Sequence, residues 1–445
     1  MTISKEIKKG KKENTLLYYL FMITVFFNVW FPKAGIKLAG IPLTIGNVFF
    51  ILLLALWFGV IVLRRNSIKF PKPGIVLFLS IFYFVLKYAY ITITKNNFAS
   101  SVTYIIPLVL YPSGMLIAYD ILTDEDRKEK VINLIRFGFY FLCFYALLQF
   151  VVGIGGCDIP GLTVNLSDYR EMGSQWYMQK SNGTDETNSK IVSTYQNGNL
   201  FGINLIFIYS LIYYYLKFKH KEKELIFSLI LFIMCTFLTL SRTCWLGIVL
   251  FIFFEILMKK DENKSSVIRK GIIIFFCLIS LFLVFNYMPS VTNRFLGTDK
   301  DDWISMSGRT EGIFHVIESI KECGSPFLLI LSIIIGPRGL ISYWGVAFEM
   351  FPTSLFVQTG VVGVILIYTF YIQCVMKLDG NNYITGGVKS SLFIWLIIGI
   401  IECGYWLPPT ALNIFLLVGL AFANQEKITV GVKNEKIDTI NDSTL

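Results

Sequence analysis

The sequence predicts an all-α polytopic membrane protein of about 12 transmembrane helices, with two large external loops, one of them carrying an amphipathic helix. Three observations lead there. Apolar residues make up 55% of the 445, and mean hydropathy is +0.63. Charged residues make up 16%, against about 25% in soluble globular chains. Those charges gather between apolar runs long enough to cross a bilayer, which takes roughly 20 residues. The chain reads as a single integral membrane domain, 1–445.

Taken in order, the runs are 16–32, 41–63, 75–94, 102–121, 131–152, 198–216, 224–240, 243–258, 271–288, 353–376, 390–407 and 408–424. The basic segment 1–15 precedes the first run, which lacks a small-residue cleavage site and reads as a retained helix. Asp124-Glu125-Asp126 stands in a short connector and reads as a solvated helix cap. The seventh and eighth runs are short and share the junction LTLSRTCW, which predicts a tight helical hairpin. Pro408-Pro409 forces a break between the last two. Of the 40 basic residues, 26 fall in the connections that are cytoplasmic if the N-terminus is, and 12 in the external ones. This bias places both termini in the cytoplasm and the loops 153–197 and 289–352 outside. The segment 425–445 reads as a disordered cytoplasmic tail.

Four stretches carry the chemistry. Gly308 to Glu322, GRTEGIFHVIESIKE, places Ile313, Ile317 and Ile320, with Phe314 and Val316 flanking, in an apolar stripe at helical spacing. Glu311, His315, Glu318 and Glu322 share the opposite face. This is an amphipathic helix on the outer membrane surface. Arg309 sits at its start, where free backbone N–H groups favour an anion; a guanidinium grips two phosphate oxygens at once. The alternative is an interfacial helix whose arginine meets lipid headgroups. Arg242, in LSRTCWLG, has apolar residues on both sides, and an ionisable group at such depth points to function; snorkelling beside Trp245 is the alternative. Tyr195, Asn197 and Asn199, in TYQNGNLFG, stand where the first loop returns to the membrane. They suit hydrogen bonding to a sugar, or simply capping of the helix. Arg338, in GPRG, follows the ten-residue run FLLILSIIIG, too short to span and read as re-entrant. It is either a ligand-approaching arginine or an ordinary loop residue. Arg294 lies in the same loop. Lys87 and Glu402, near the external ends of their spans, are expected to snorkel to the interface, with pairing or substrate binding as the alternative. His220 reads as solvated and His315 as either a general base or a solvated helix-face residue.

Other classes lack their signatures. The net charge of +10 sits at helix ends, which argues against nucleic-acid binding. The eight cysteines form no CxxC pair or Cys/His cluster, so free thiols are expected and no metal site is; Cys157 and Cys323 pair only if the two loops touch. No Walker motif appears. No internal repeat is visible, which weakens a transporter reading.

In order and placement, QNGNLFG, TLSRTCWLG, GRTEGIF and SLFVQTGVVGVIL resemble the O-antigen polymerase and O-antigen ligase superfamily of bacterial envelope proteins. The resemblance covers roughly residues 190–376 together with the twelve-span layout. It implies a glycosyltransferase of the bacterial cytoplasmic membrane, acting on undecaprenyl-pyrophosphate-linked glycans at the external face. The arginines near the pyrophosphate would be Arg242 and Arg309, and more loosely Arg338. The ligase branch carries a histidine just before the tenth span; Phe351-Pro352-Thr353-Ser354 stands there instead, which favours a capsule or O-antigen polymerase. The expected mechanism joins repeat units, with arginines stabilising the departing pyrophosphate and Glu311, His315 or Glu349 as candidate bases. Its partners are the lipid-linked donor and acceptor glycans, membrane lipid, and a chain-length regulator protein; no nucleic acid, metal or soluble cofactor is expected. A lipid-linked oligosaccharide flippase is the rival from another class.

Overall fold

A computed structural model describes residues 2–38, 41–64, 70–95, 106–172, 190–257, 314–318, 320–322, 325–338, 340, 350–402 and 410–425. The chain is mostly helical. The helices are α1 (Thr2–Trp30), α2 (Ile45–Arg64), α3 (Gly74–Lys95), α4 (Tyr111–Ile121), α5 (Glu125–Val152), α6 (Leu166–Met172), α7 (Gly198–Phe218), α8 (Glu222–Leu238), α9 (Arg242–Leu257), α10 (Pro326–Ile335), α11 (Phe351–Lys377), α12 (Tyr383–Ile398) and α13 (Thr410–Gln425). Five of them, α2, α3, α5, α7 and α11, are long and apolar enough to cross a membrane. The pattern of burial supports a lipid surrounding. Leu63 is 85% and Ile93 82% exposed, whereas Lys128 and Asn204 are buried; in water such an outer surface would be an aggregation liability.

Burial sorts the helices by position. In α7, 83% of the most apolar window is buried, against 28% in α2, so α7 is the axis and α2 the periphery. A helix apolar all round and enclosed all round is what an interior position selects. Around α7 the helices approach closely because small residues face it: a Cβ on Gly387 of α12 would lie 2.7 Å from the Leu211 Cα. Side-chain amides tie the interior together. Asn413 of α13 donates to the Asn28 carbonyl of α1 at 3.3 Å and to Asn204 Oδ1 of α7 at 3.4 Å, and Asn204 donates to Thr410 Oγ1.

Local signals explain most helix ends. Asp124 accepts from the Asp126 N–H at 3.4 Å and opens α5, the cap read from the sequence. Pro112 supplies no N–H, so the turn before α4, Ile106–Leu110, widens to π-helical spacing. Asn382 and Thr385 form a capping box that starts α12. That box corrects the sequence reading: α12 begins seven residues ahead of the 390–407 span and stops at Ile398. Two further corrections concern the loops. The short connector after α1 folds into a β-hairpin, β1 (Gly35–Leu38) against β2 (Ile41–Thr44). The first long loop contains α6, whose Asp168 forms an ion pair with Lys37 while Ser167 Oγ accepts from the Lys37 N–H at 2.9 Å. Hairpin and loop thus form one cap over the ends of α1, α2 and α5. The ninth run, 271–288, and the tail beyond residue 425 lie outside the described residues.

The largest departure is in α11. Its backbone is non-helical at Gly360, with φ 67° and ψ −172°. Phe351 and Tyr368 are seventeen positions apart, about 25 Å along a straight helix, yet their ring centroids are 5.8 Å apart. The expected single span 353–376 is therefore two helical segments meeting at a sharp bend. The short helix α10 crosses at that bend: a Cβ on Gly336 would lie 2.7 Å from the Gly360 nitrogen, and one on Gly360 would overlap the Ile334 carbonyl.

Candidate functional site

Two sequence stretches some forty residues apart pack into one place through their glycines. In QNGNLFG, a Cβ on Gly198 would lie 2.9 Å from the Thr239 carbonyl, and one on Gly202 would overlap Cys244 Sγ. Those contacts press the start of α7 against the α8–α9 hairpin, whose tight turn holds Leu240 at φ 51°. Trp245 locks the turn, stacking on Phe237 and donating from Nε1 to the Phe237 carbonyl at 3.3 Å. Arg242, the first residue of α9, is thereby fixed beside the start of α7. Asn199 accepts from the Cys244 thiol through its carbonyl at 3.7 Å and donates from Nδ2 to Glu402 Oε2 at 3.4 Å. Lys190 and Glu402 both lie close enough to act electrostatically on Cys244. The result is a polar cluster of Lys190, Asn199 and Glu402 around Cys244, with Arg242 two residues before Cys244 at the start of α9.

The neighbouring residues of the same motif have structural roles. Asn197 caps α7, accepting from the Leu200 N–H at 2.8 Å, the capping alternative of the sequence reading. Tyr195, expected to meet substrate, is instead 1% exposed and donates to the Val29 carbonyl at 3.2 Å. Its ring serves the core because the chain between Ile191 and Tyr195 folds inward before α7 begins.

The bend in α11 holds a second charged group. Breaking the helix at Gly360 frees the preceding carbonyls, and α3 supplies the donors: Lys87 Nζ to the Gln358 carbonyl, and Tyr83 Oη to the Thr359 carbonyl at 2.6 Å. Lys87 is 4% and Glu402 6% exposed, so neither snorkels to the interface as expected. The Arg338 N–H donates to the Val357 carbonyl at 3.1 Å, and its side chain acts electrostatically on Lys87. The ten-residue run 327–336 forms the short helix α10, and Arg338 is drawn against α11.

Residues 314–318 and 320–321 form the described part of the expected amphipathic helix. Val316 and Ile320 are buried against Val357, while Phe314 and Ile317 face outward at 62% and 41% exposure. The expected stripe is therefore split, one side on α11 and the other facing outward. His315 faces Glu318 at 3.7 Å, both exposed. Arg294, Arg309, Glu311 and Glu349 lie outside the described residues, as does Cys323. Cys157 is a free thiol. Among the described residues no group of three or more His, Cys, Asp and Glu could hold a metal ion.

The chain matches no family model and no curated protein. Functional assignment rests on the residues themselves. Sequence reasoning missed the interior amides Asn28, Asn204 and Asn413, which look unremarkable inside apolar runs. It also missed Gln358, whose buried Oε1 has no hydrogen-bond partner among the described residues; a glutamine just before a glycine in a predicted span was the available signal.

Proposed function

We propose that this chain is a polytopic glycosyltransferase of the bacterial cytoplasmic membrane, with about twelve spans and both termini inside. It polymerises undecaprenyl-pyrophosphate-linked oligosaccharide repeat units into O-antigen or capsular polysaccharide at the external face. One observation supports this above the others: QNGNLFG and LSRTCW, separate in sequence, pack through Gly198 and Gly202, which sets the turn that carries Arg242 against the start of α7, where Asn199 holds Glu402. A pyrophosphate leaving group requires positive charge as the glycosidic bond breaks, and Arg242 provides it from a fixed position. Arg309 serves the same pyrophosphate by the resemblance. Glu402, buried and hydrogen-bonded to Asn199, is suited to accept the proton of the attacking sugar hydroxyl. The acceptor oxygen forms the new bond at the anomeric carbon as the carrier pyrophosphate departs.

A flippase for lipid-linked oligosaccharide draws on a different observation, the broken helix α11 beside the buried Lys87, since discontinuous helices and embedded charge are found at transport sites. Surface polysaccharide from a deletion strain separates the two. Complementation with the wild-type gene restores a ladder of chain lengths, whereas Arg242→Ala and Arg309→Ala leave a single repeat unit on the surface. Loss of even that single unit favours the flippase. A normal ladder from a well-expressed Arg242→Ala protein overturns the assignment of the site.

A further inference from the structure

We propose that the bend in α11 is a membrane-embedded site for a monovalent cation, and that the ammonium of Lys87 is its built-in occupant. Two helix C-termini meet there. The first segment of α11 ends at the Gly360 break, and α10 ends at Ile335, with its cap Gly336 packed against the Gly360 nitrogen. Each helix carries a partial negative charge at that end, on carbonyls that its own backbone does not satisfy. Two such ends buried together call for positive charge. Unwound carbonyls and the C-terminal ends of broken helices are where membrane proteins coordinate small cations.

The side chains complete the site. Lys87 stands thirteen residues into α3, about 20 Å from its start, and is buried. Its Nζ donates to the Gln358 carbonyl and lies 5.8 Å from the centre of the Tyr88 ring, within reach of cation–π attraction. The neighbouring carbonyls take neutral donors. Thr359 and Ile334 accept from Tyr83 Oη at 2.6 and 3.3 Å, and Val357 accepts from the Arg338 backbone N–H. Gln358 adds a buried Oε1 that meets no donor among the described residues. The bend therefore presents more acceptors than donors, the balance that a cation corrects. Among the described residues, the charged side chain that acts on Lys87 is Arg338, of the same sign. The charge of Lys87 is thus met by carbonyls and helix ends, which must also outweigh that repulsion. Because the occupant is tethered, the bend is held whatever salt surrounds the protein. Removing the tether exposes the preference of the site itself.

The test is chemical rescue of the full-length protein in a non-ionic detergent, with N-methylglucamine, too bulky for the site, as the background cation. Lys87→Ala removes the ammonium with the carbons that carry it, a space that n-propylammonium matches. The variant is expected to melt about 5 °C below wild type. Titrated n-propylammonium should return most of that loss in a saturating manner, while the neutral n-propanol returns none and neither compound raises the Tm of wild type. Lys87→Met, which fills the space without charge, should stay low with either compound, and Lys87→Arg should melt near wild type. If Lys87→Ala does not fold, the comparison of Lys87→Arg with Lys87→Met decides. Equal rescue by n-propanol, rescue by neither compound, or a Lys87→Met protein as stable as wild type overturns the proposal. The readout is stability alone, so that outcome leaves the glycosyltransferase reading standing.

Discussion

Both carboxylate oxygens of Asp158 are buried in the cap over α1 and α5, and no hydrogen-bond partner reaches them among the described residues. Burial raises its pKa from the ordinary 3.8 to about 6, and the nearby Lys33 moderates the rise. Between those values the folded state holds a proton that the unfolded chain has released, so stability is greatest below about pH 4 and declines as pH rises to about 6. The full shift corresponds to about 3 kcal/mol; partial exposure reduces it to about 1 kcal/mol. Asp158→Asn should remove the decline and raise Tm by about 2 °C at pH 8, with no change at pH 4. Parallel melting profiles for the two proteins across pH 4–8 would refute this. At the reaction site, Glu402→Gln keeps the Asn199 contact but cannot take a proton, so kcat should fall at least about 100-fold with little change in KM; unaltered turnover removes Glu402 as the base. Residue roles were unevenly legible. Asp124 and Asn197 announced themselves as caps because their partners lie two and three residues away. The settings of Lys87 and Tyr195 depend on acceptors 271 and 166 positions distant, which no local pattern encodes.

Among the elements, α11 departs most from its reading. Gly360 combines a positive φ with contact against the backbone of α10, so an added methyl group meets both strain and overlap. Gly360→Ala should destabilise the protein by about 3 kcal/mol or more, seen as a drop in Tm in detergent; a Tm within 2 °C of wild type, about the shift expected from 1 kcal/mol or less, would contradict the bend. The helix itself was legible from its apolar length, and α10 from a run of ten apolar residues, too short to span. The bend was not, because V-Q-T-G-V-V-G reads equally well as a straight helix with small faces. Only the crossing with Gly336, twenty-four positions earlier, decides between them. The β-hairpin and α6 escaped for a related reason: each is stabilised mainly by the other, through Lys37, Ser167 and Asp168.

Among the described residues, most of the buried interior is apolar, crossed by the Asn28, Asn204 and Asn413 amides, and the charged groups of the candidate site lie at helix ends or at the bend. A mechanism based on guanidinium charge predicts that EDTA leaves polymerisation by the purified protein intact; a strict divalent-cation requirement would contradict it. The bend at Gly360 also bears on the surrounding bilayer. Beyond it, the segment 361–377 extends only about 25 Å at 1.5 Å per residue, whereas the hydrocarbon core is about 30 Å thick. Hydrophobic mismatch of this kind draws the lipid inward at a cost of a fraction of a kcal/mol per Å. The membrane beside α11 should therefore be locally thinned, with headgroups descending on that flank, and the protein should prefer bilayers of shorter acyl chains.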